Sequence, residues 1–407
     1  MTRGVSLDDI RAAAAAIAGQ VLRTPLLPAP LLGQACDAEI LLKLENLQVS
    51  GSFKARGALY RMLALGPKER DAGVIAMSAG NHAQGVAWHA RRLGIPAIIV
   101  MPQGTPFTKI ERTEALGATV MLEGATLVEA GIKAQALAES HGYAFIHPYD
   151  DPLVIAGQGT IGLELAEDAG DLDAVIVPIG GGGLIAGIAT ALKALRPAIE
   201  VIGVETELYP SMKDALDGVP SRSGGQTIAE GIAVQTPGQL AKGVIRDLVS
   251  DILLVADGPI EAAMQTLLDS QKIVAEGAGA APLAALIGNR ERFRGRKVAL
   301  VVSGGNVDAR LIASILLRGL GRAGRIARLR IEIPDLPGTL ARVAKLIGDG
   351  DGNIIEITHQ RLFYDVPVRY TELDAVIEAT SAGHLREIVE MLRRSGFPTR
   401  HLSNTSD

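Results

Sequence analysis

Apolar runs alternate along this chain with glycine-bearing turns and amphipathic stretches. "GVIAMSAGNHAQGVAWHARRLG" predicts a strand, a turn around Gly80, and a helix. "PAIIVMPQGTPFTKIERTEALGATVMLEG" repeats that order and adds a second strand. "DAVIVPIGGGGLIAGIATALKAL" repeats it again and leads to the strand "EVIGVET". "KVALVVSGGNVDARLIASIL" closes the series. Strands apolar at every position, alternating with helices, predict a parallel sheet covered on both faces. Ligands of such sheets bind beyond the carboxyl ends of the strands, so chemistry is expected in the turns that follow them.

The pattern changes near residue 322. "RAGRIARL" is basic, and "RIEIPDLPGTLARVAKLIGDGDGNIIEITHQRL" then predicts strand, turn, helix and strand. "YTELDAVIEATSAGHLREIVEMLRRSGFPTRHL" adds a further strand and helix. A division into residues 1–322 and a small α+β unit over 325–407 follows, the latter close to the minimum size of an independent domain.

Composition narrows the class. With 48% hydrophobic, 21% charged and only 3% aromatic residues, the chain is globular, with a core of Ala, Val, Ile and Leu. A length of 407 residues exceeds one ordinary core. The net charge of -5 and the lack of a basic stripe argue against nucleic acid. The densest basic stretch, "LLRGLGRAGRIARLRIEI", reads as a solvated connector. A single cysteine, Cys36, excludes an intrachain disulfide and fits a reducing, cytoplasmic setting. The N-terminal Ala-rich run follows Asp8 and Asp9, and it reads as a soluble helix capped by Ser6 rather than a signal peptide. No apolar stretch is long enough to predict a membrane span.

Three turns and one lysine carry the candidate chemistry. Gly180, Gly181, Gly182 and Gly183 lie between a strand and a helix start, where backbone N–H groups and the helix terminus suit a phosphate. The same glycines also fit a turn that needs them only for tight packing. No Walker lysine or G-x-G-x-x-G spacing accompanies them, which disfavours a nucleotide. Ser78, Gly80, Asn81 and His82 follow a strand and open a helix. Their small hydroxyl, amide and N–H groups suit a carboxylate, although an ordinary helix cap by Ser78 or Asn81 would look alike. His82 by itself reads as a histidine satisfied by a neighbour. Ser303 directly follows an apolar strand, where a hydroxyl can meet a heteroaromatic nitrogen. Lys54 stands in "VSGSFKARGALY" among small and apolar residues. A desolvated lysine has a lowered pKa and becomes an amine able to form a Schiff base. An amine, a phosphate cradle, a carboxylate turn and a serine for a ring nitrogen together fit pyridoxal 5'-phosphate.

With those residues in place, the chain resembles the fold-type II pyridoxal-phosphate enzymes, and within them the threonine ammonia-lyases, or threonine dehydratases. The resemblance runs over nearly all of residues 1–320 through "RTPLL", "LKLENLQVSGSFKARGA", "SAGNHAQGVA", "PIGGGGLIAG" and "SGGNVD". It implies a tryptophan synthase β-like catalytic domain of two parallel-sheet α/β subdomains. It implies that Lys54 carries the cofactor, that Phe53 packs by its ring, and that Asn81 bonds its phenolic oxygen. It further implies that Gly180, Gly181, Gly182, Gly183 and Leu184 hold the phosphate and that Ser303 faces the pyridine nitrogen. The implied reaction is β-elimination from L-threonine to 2-oxobutanoate and ammonia, extending to L-serine and pyruvate, in isoleucine biosynthesis or threonine catabolism. The resemblance also implies a homodimer or homotetramer.

Two departures matter. Related serine racemases carry a serine directly before the Gly-Asn pair, where this chain has Ala79. Cation-binding relatives place a second carboxylate after a "VE" strand end, whereas here Glu205 is followed by Ser211 at that position, so no metal is assigned. The C-terminal unit resembles an ACT domain, a βαββαβ amino-acid sensor, through "IEIPDLPGTLARVAKLI" with Asp335, Pro337 and Gly338 in its turn. That resemblance implies isoleucine or valine as effector; a dimerisation module that binds nothing is the alternative. Dehydration of serine or 3-hydroxyaspartate, serine racemisation, and a sensor that has lost catalysis remain as competing functions.

Overall fold

The computed structural model describes residues 4–360 and 369–402. It divides into two compact units, with the boundary between Val307 and Asp308.

Among the described residues the first unit holds ten strands: β1 Leu26–Pro28, β2 Glu39–Leu44, β3 Val74–Met77, β4 Ala97–Met101, β5 Thr119–Leu122, β6 Ala144–Phe145, β7 Ala174–Pro178, β8 Glu200–Thr206, β9 Asp251–Val255 and β10 Lys297–Val302. They form two sheets, β1-β2-β10-β7-β8-β9 and β5-β4-β3-β6. All pairs are parallel except β1 with β2. The expectation of parallel sheets in two α/β subdomains therefore holds. The apolar runs explain it: every residue of β7 is buried, and helices pack on both faces.

Local chemistry fixes the element ends as the sequence suggests. Ser6 caps the first helix, Leu7–Ile17, in a capping box with Asp9. The carboxyl ends of β3, β7 and β10 lead into the three turns singled out above. Ahead of the lysine helix, Lys54–Leu63, the chain turns through two left-handed residues, Ser50 at φ 63° and Gly51 at φ 73°. Gly51 is needed there twice over, because a Cβ would also sit 2.5 Å from Asn306 Oδ1.

The second unit opens with the helix Ala309–Arg322 and continues as β11 Ile326–Pro334, a helix Thr339–Asp349, β12 Asn353–Gln360, β13 Tyr370–Glu378, a helix Ala382–Arg394 and β14 Thr399–Leu402. Its antiparallel sheet runs β12-β13-β11-β14, the order of a split βαββαβ fold. Ala327, Leu329, Ile331 and Ile333 alternate inward and pack on Val343, Ile347, Ile388 and Leu392 from two of the helices. The basic stretch over 316–333 is not a solvated connector. It is the end of one helix and most of a strand, joined by residues 323–325. The alternation of apolar residues with arginines is a strand period that a linker lacks. Among the described residues no helix is long and apolar enough to cross a membrane.

Candidate active site

Lys54 begins its helix without a side-chain cap. Its position is set from upstream by the backbone: the Phe53 N–H donates to the Ser303 carbonyl at 3.1 Å, and Ser52 bridges to Gly304. The candidate amine and the candidate ring-nitrogen partner are thus tied by adjacent main chain. Lys54 Nζ donates to the Pro148 carbonyl at 2.6 Å and lies 5.2 Å from the centre of the Phe53 ring. Burial lowers its pKa to about 8, against a smaller opposing pull from Glu276. Roughly a tenth of the amine is then neutral at pH 7, far more than for a solvated lysine.

The turn after β3 closes on the same place. Gly80, rather than Ser78 or Asn81, is the residue that precedes the helix Asn81–Leu93, and no side chain caps it. Ser78 Oγ accepts the Gly80 N–H at 3.1 Å. Asn81 donates from Nδ2 to Glu276 at 2.6 Å and accepts at Oδ1 from Asn306 at 2.8 Å. The two contacts fix its amide orientation and leave one N–H for a ligand. His82 is buried, and its Nε2 meets the Ile146 carbonyl at 2.8 Å. Burial first, then the nearby Lys54 charge, lowers its pKa to about 3, so the ring is neutral. Its Nδ1 is without a partner among the described residues.

The four glycines combine both readings offered by the sequence. Packing dictates their identity: a methyl on Gly181 would run into the Tyr149 ring, and one on Gly183 would lie 2.5 Å from the Tyr149 carbonyl. Their backbone is nonetheless open to a ligand. No side chain caps the helix Gly183–Leu195, and the first bond of the turn runs from the Ala186 N–H to the Gly182 carbonyl at 3.0 Å. Among the described residues, the N–H groups of Gly180 to Leu184 find no acceptor. A row of free N–H groups at a helix start fits a phosphate.

Several residues of the site were not anticipated. Glu276 is half-buried against Asn81, and desolvation raises its pKa to about 7. The segment His147–Asp151 ties together much of what surrounds Lys54. Pro148 accepts the lysine, and Tyr149 packs on Gly181 while its hydroxyl donates to the Thr236 carbonyl at 2.9 Å. Asp150 accepts from the N–H groups of Gln239 and Leu240, and Asp151 caps the helix Pro152–Asp168. "HPYDD" does contain a helix signal, Asp151 before Pro152, but nothing local announces the lysine contact. Glu205, to which the sequence assigned no metal, accepts from Ser211 Oγ and from the N–H groups of Met212 and Lys213. Among the described residues no cluster of three His, Cys, Asp or Glu side chains could hold a metal.

A desolvated lysine, an N–H-lined helix start and a strand-end serine, set at the carboxyl ends of parallel strands, define a pyridoxal-phosphate enzyme of fold-type II. Residues 17–304 match the model of the family described as pyridoxal-phosphate dependent enzyme, and the chain belongs to that family. It is 42% identical over 398 residues to the L-threonine ammonia-lyase of Thermotoga maritima, covering 97% of this chain and 99% of that one. The solved structure of the T.th. threonine deaminase superimposes with a TM-score of 0.69 at 44% identity, over 74% of this chain and 99% of that one. Maize serine racemase gives a TM-score of 0.74 at 33% identity, over 79% and 99%.

Proposed function

We propose that the protein is an L-threonine ammonia-lyase that converts L-threonine to 2-oxobutanoate and ammonia, with L-serine as a second substrate giving pyruvate. The observation that carries this reading is Lys54: a half-buried amine whose pKa desolvation lowers to about 8, tied through adjacent backbone to Ser303. Bound pyridoxal phosphate supplies the electron sink that acidifies the substrate's Cα–H. Lys54 would hold the cofactor at rest and Gly180 to Leu184 its phosphate. Phe53, Asn81 and Ser303 would meet its ring, phenolic oxygen and ring nitrogen. A serine, unlike a carboxylate, does not keep a ring nitrogen charged, which favours loss of a leaving group over transamination. Once substrate is bound, the Lys54 amine takes the α-proton, and its lowered pKa leaves it neutral often enough to do so. Ser78, Gly80 and Asn81 receive the substrate carboxylate at the helix start. His82 stays neutral and positions that turn through the Ile146 carbonyl. The names of the Thermotoga maritima and T.th. relatives support threonine.

The racemase reading meets Ala79, which has no hydroxyl to return a proton from the opposite face. Two measurements test the proposal. Borohydride reduction followed by peptide mapping should place the cofactor on Lys54, and L-threonine and L-serine should yield 2-oxo acid and ammonia with little D-serine. A label on another lysine, or substantial D-serine, overturns it.

Residues 1–322 would then carry catalysis and residues 325–407 sensing, with isoleucine or valine as effector bound near Asp335, Pro337 and Gly338. Gly338 supports this: it is left-handed at φ 86°, starts a helix, and has nothing within 4 Å of where a Cβ would stand, so a ligand backbone can approach. Threonine saturation with and without isoleucine, for the full chain and for a truncation after Arg322, tests it. A response confined to the full chain supports a biosynthetic, feedback-controlled enzyme. No response to any branched amino acid leaves the unit an assembly element. Light scattering should give a dimer or tetramer.

A further inference from the structure

A second cluster of ionisable groups lies beneath Lys54, and the chemistry described so far does not use it. Lys43, Glu45, Arg56 and Glu164 are all buried, at 0%, 0%, 1% and 8% exposure. Arg56 binds Glu45 through Nε at 2.9 Å and Nη2 at 2.8 Å, and Glu164 through Nη1 at 2.6 Å and Nη2 at 3.0 Å. Its Nη1 also donates to Thr160 Oγ1 at 3.1 Å. Lys43 donates to Glu164 and to the Thr24 carbonyl, and Thr24 Oγ1 donates to Glu45. Two cations face two carboxylates, so the cluster carries no net charge.

We propose that Arg56 is a positioning residue for Lys54, its sealed and charge-balanced clamp fixing the catalytic amine between Pro148 and Ser303. The placement of the partners carries the argument. Arg56 is two residues beyond Lys54 on the same helix. Glu45 directly follows β2, which pairs in register with β10, the strand that delivers Ser303. Glu164 and Thr160 belong to the helix Pro152–Asp168, whose entry segment carries Pro148, the acceptor of Lys54 Nζ. One guanidinium therefore joins the lysine helix to both elements that hold the lysine's partners. Its planar fork makes the geometry specific, which a lysine ammonium cannot reproduce. Buried ion pairs are poor sources of stability, since apolar residues of similar volume often replace them without loss, so a positional role is the better account of four sealed charges. Two cations set against two carboxylates leave the clamp with no net charge to bear on Lys54.

The inference rests on Lys54 as the cofactor lysine, and its test separates the two. Arg56→Lys keeps the charge and loses the fork. In the holoenzyme kcat should fall about tenfold or more with KM changed far less, as expected for a misplaced reacting group. The circular dichroism of the cofactor's visible band should weaken with it. Glu45→Gln leaves the shape and adds a net positive charge, so the pH midpoint for acylation of Lys54 in the apoenzyme should fall. Thr160→Val, which removes a single bond to Nη1, should change kcat and the visible dichroism in the same direction as Arg56→Lys but less, and it keeps the test open if Arg56→Lys does not fold. A lower melting temperature with kcat and dichroism intact in the folded variants overturns the proposal. So does an unmoved acylation midpoint in Glu45→Gln. Cofactor mapped to another lysine would instead defeat the functional reading, while the acylation of Lys54 would still report on the clamp.

Discussion

Arginine meets carboxylate in both units, under opposite conditions. In the first unit Arg56 and both its carboxylate partners are sealed between the lysine helix, the end of β2 and the helix Pro152–Asp168. In the second, Asp374 and Glu372 on β13 are paired with arginines of the neighbouring strands. Arg328 and Arg330 reach Asp374 at 2.7 Å each, and Arg400 reaches Glu372 at 2.9 Å. The carboxylates are nearly hidden, at 7% and 6% side-chain exposure, but Arg328 and Arg400 are 50% and 59% exposed. Arg330 above all, with Arg328, holds the Asp374 carboxyl below its usual range, against a smaller opposing push from burial. The same chemistry thus serves two ends. Sealed charges have no alternative partner, so they fix a geometry. Charges under half-exposed arginine heads can turn to water, so they hydrate the sheet face without fixing a geometry.

Breaking the sealed cluster should have the largest effect. Arg56→Met leaves two buried carboxylates opposite one lysine, and an uncompensated buried charge costs about 3–5 kcal/mol. Denaturant unfolding of the holoenzyme should show that loss at pH 7. A loss below about 1 kcal/mol would mean that water reaches the cluster and that the contrast with the open face is false.

Glu205 sharpens the contrast, because it is sealed without a cation. Burial, opposed by the N–H groups of Met212 and Lys213, raises its pKa from 4.5 to about 7. A raised folded-state pKa means that the native protein binds the proton more tightly than the unfolded chain does. The stability this contributes is complete below pH 4.5 and lost as pH rises through about 7. The gap corresponds to about 3 kcal/mol at most. Glu276 titrates in the same direction. Glu205→Gln should therefore make the decline in unfolding free energy between pH 5 and pH 7.5 shallower. An unchanged slope would show that the helix N–H groups keep Glu205 ionised throughout.

Much of this was legible in the sequence, for a physical reason. Strands buried on both faces are apolar throughout, and "AVIVP", "VIAM" and "KVALVV" announce themselves. Their ends then locate the turns. Lys54, Asn81 and Ser303 stand out as a set: Asn81 and Ser303 each fit ordinary turn chemistry alone, and only beside a desolvated lysine and four glycines do they suggest one cofactor. Glu276 was not, since its meaning lies in a contact with Asn81 across 195 residues. Pro148 was hidden for a similar reason: the lysine uses its carbonyl, which every residue has. Arg56 was visible as a residue and invisible as a clamp, because Glu45 and Glu164 look like any surface acids until the fold seals them. The basic stretch over 316–333 misled through composition, where the period-two alternation of β11 was the better guide.

Glycines allow a second comparison between sealed and open. A Cβ at Gly181 would strike the Tyr149 ring, which is itself held by Thr236. Gly181→Ala should cost about 1–3 kcal/mol by overpacking and weaken cofactor retention, read from the visible band after dialysis. At Gly338 nothing stands within 4 Å, and only its left-handed φ of 86° penalises a side chain. Gly338→Ala should cost about 1 kcal/mol and leave the visible band unchanged. Equal losses at the two positions would show that the Tyr149 ring yields to the added methyl, so that packing does not demand a glycine at 181.

The smallest effect is expected on the open face. Arg328 gives Asp374 one bond at 2.7 Å, while Arg330 gives it two, at 2.7 and 2.9 Å. Removing Arg328 therefore leaves the carboxylate paired, and half of the arginine side chain already lies in solvent. Arg328→Gln should lower stability by less than about 1 kcal/mol, and the difference from the parent protein should shrink further in high salt. Salt should do little for Arg56→Met, because counterions cannot enter a sealed cluster. The ratio of the two losses, measured at low and high salt, separates enclosure from charge. If Arg328→Gln proves as damaging as Arg56→Met, and salt does not relieve it, the sheet face is covered in the assembled protein and its arginines are sealed as well.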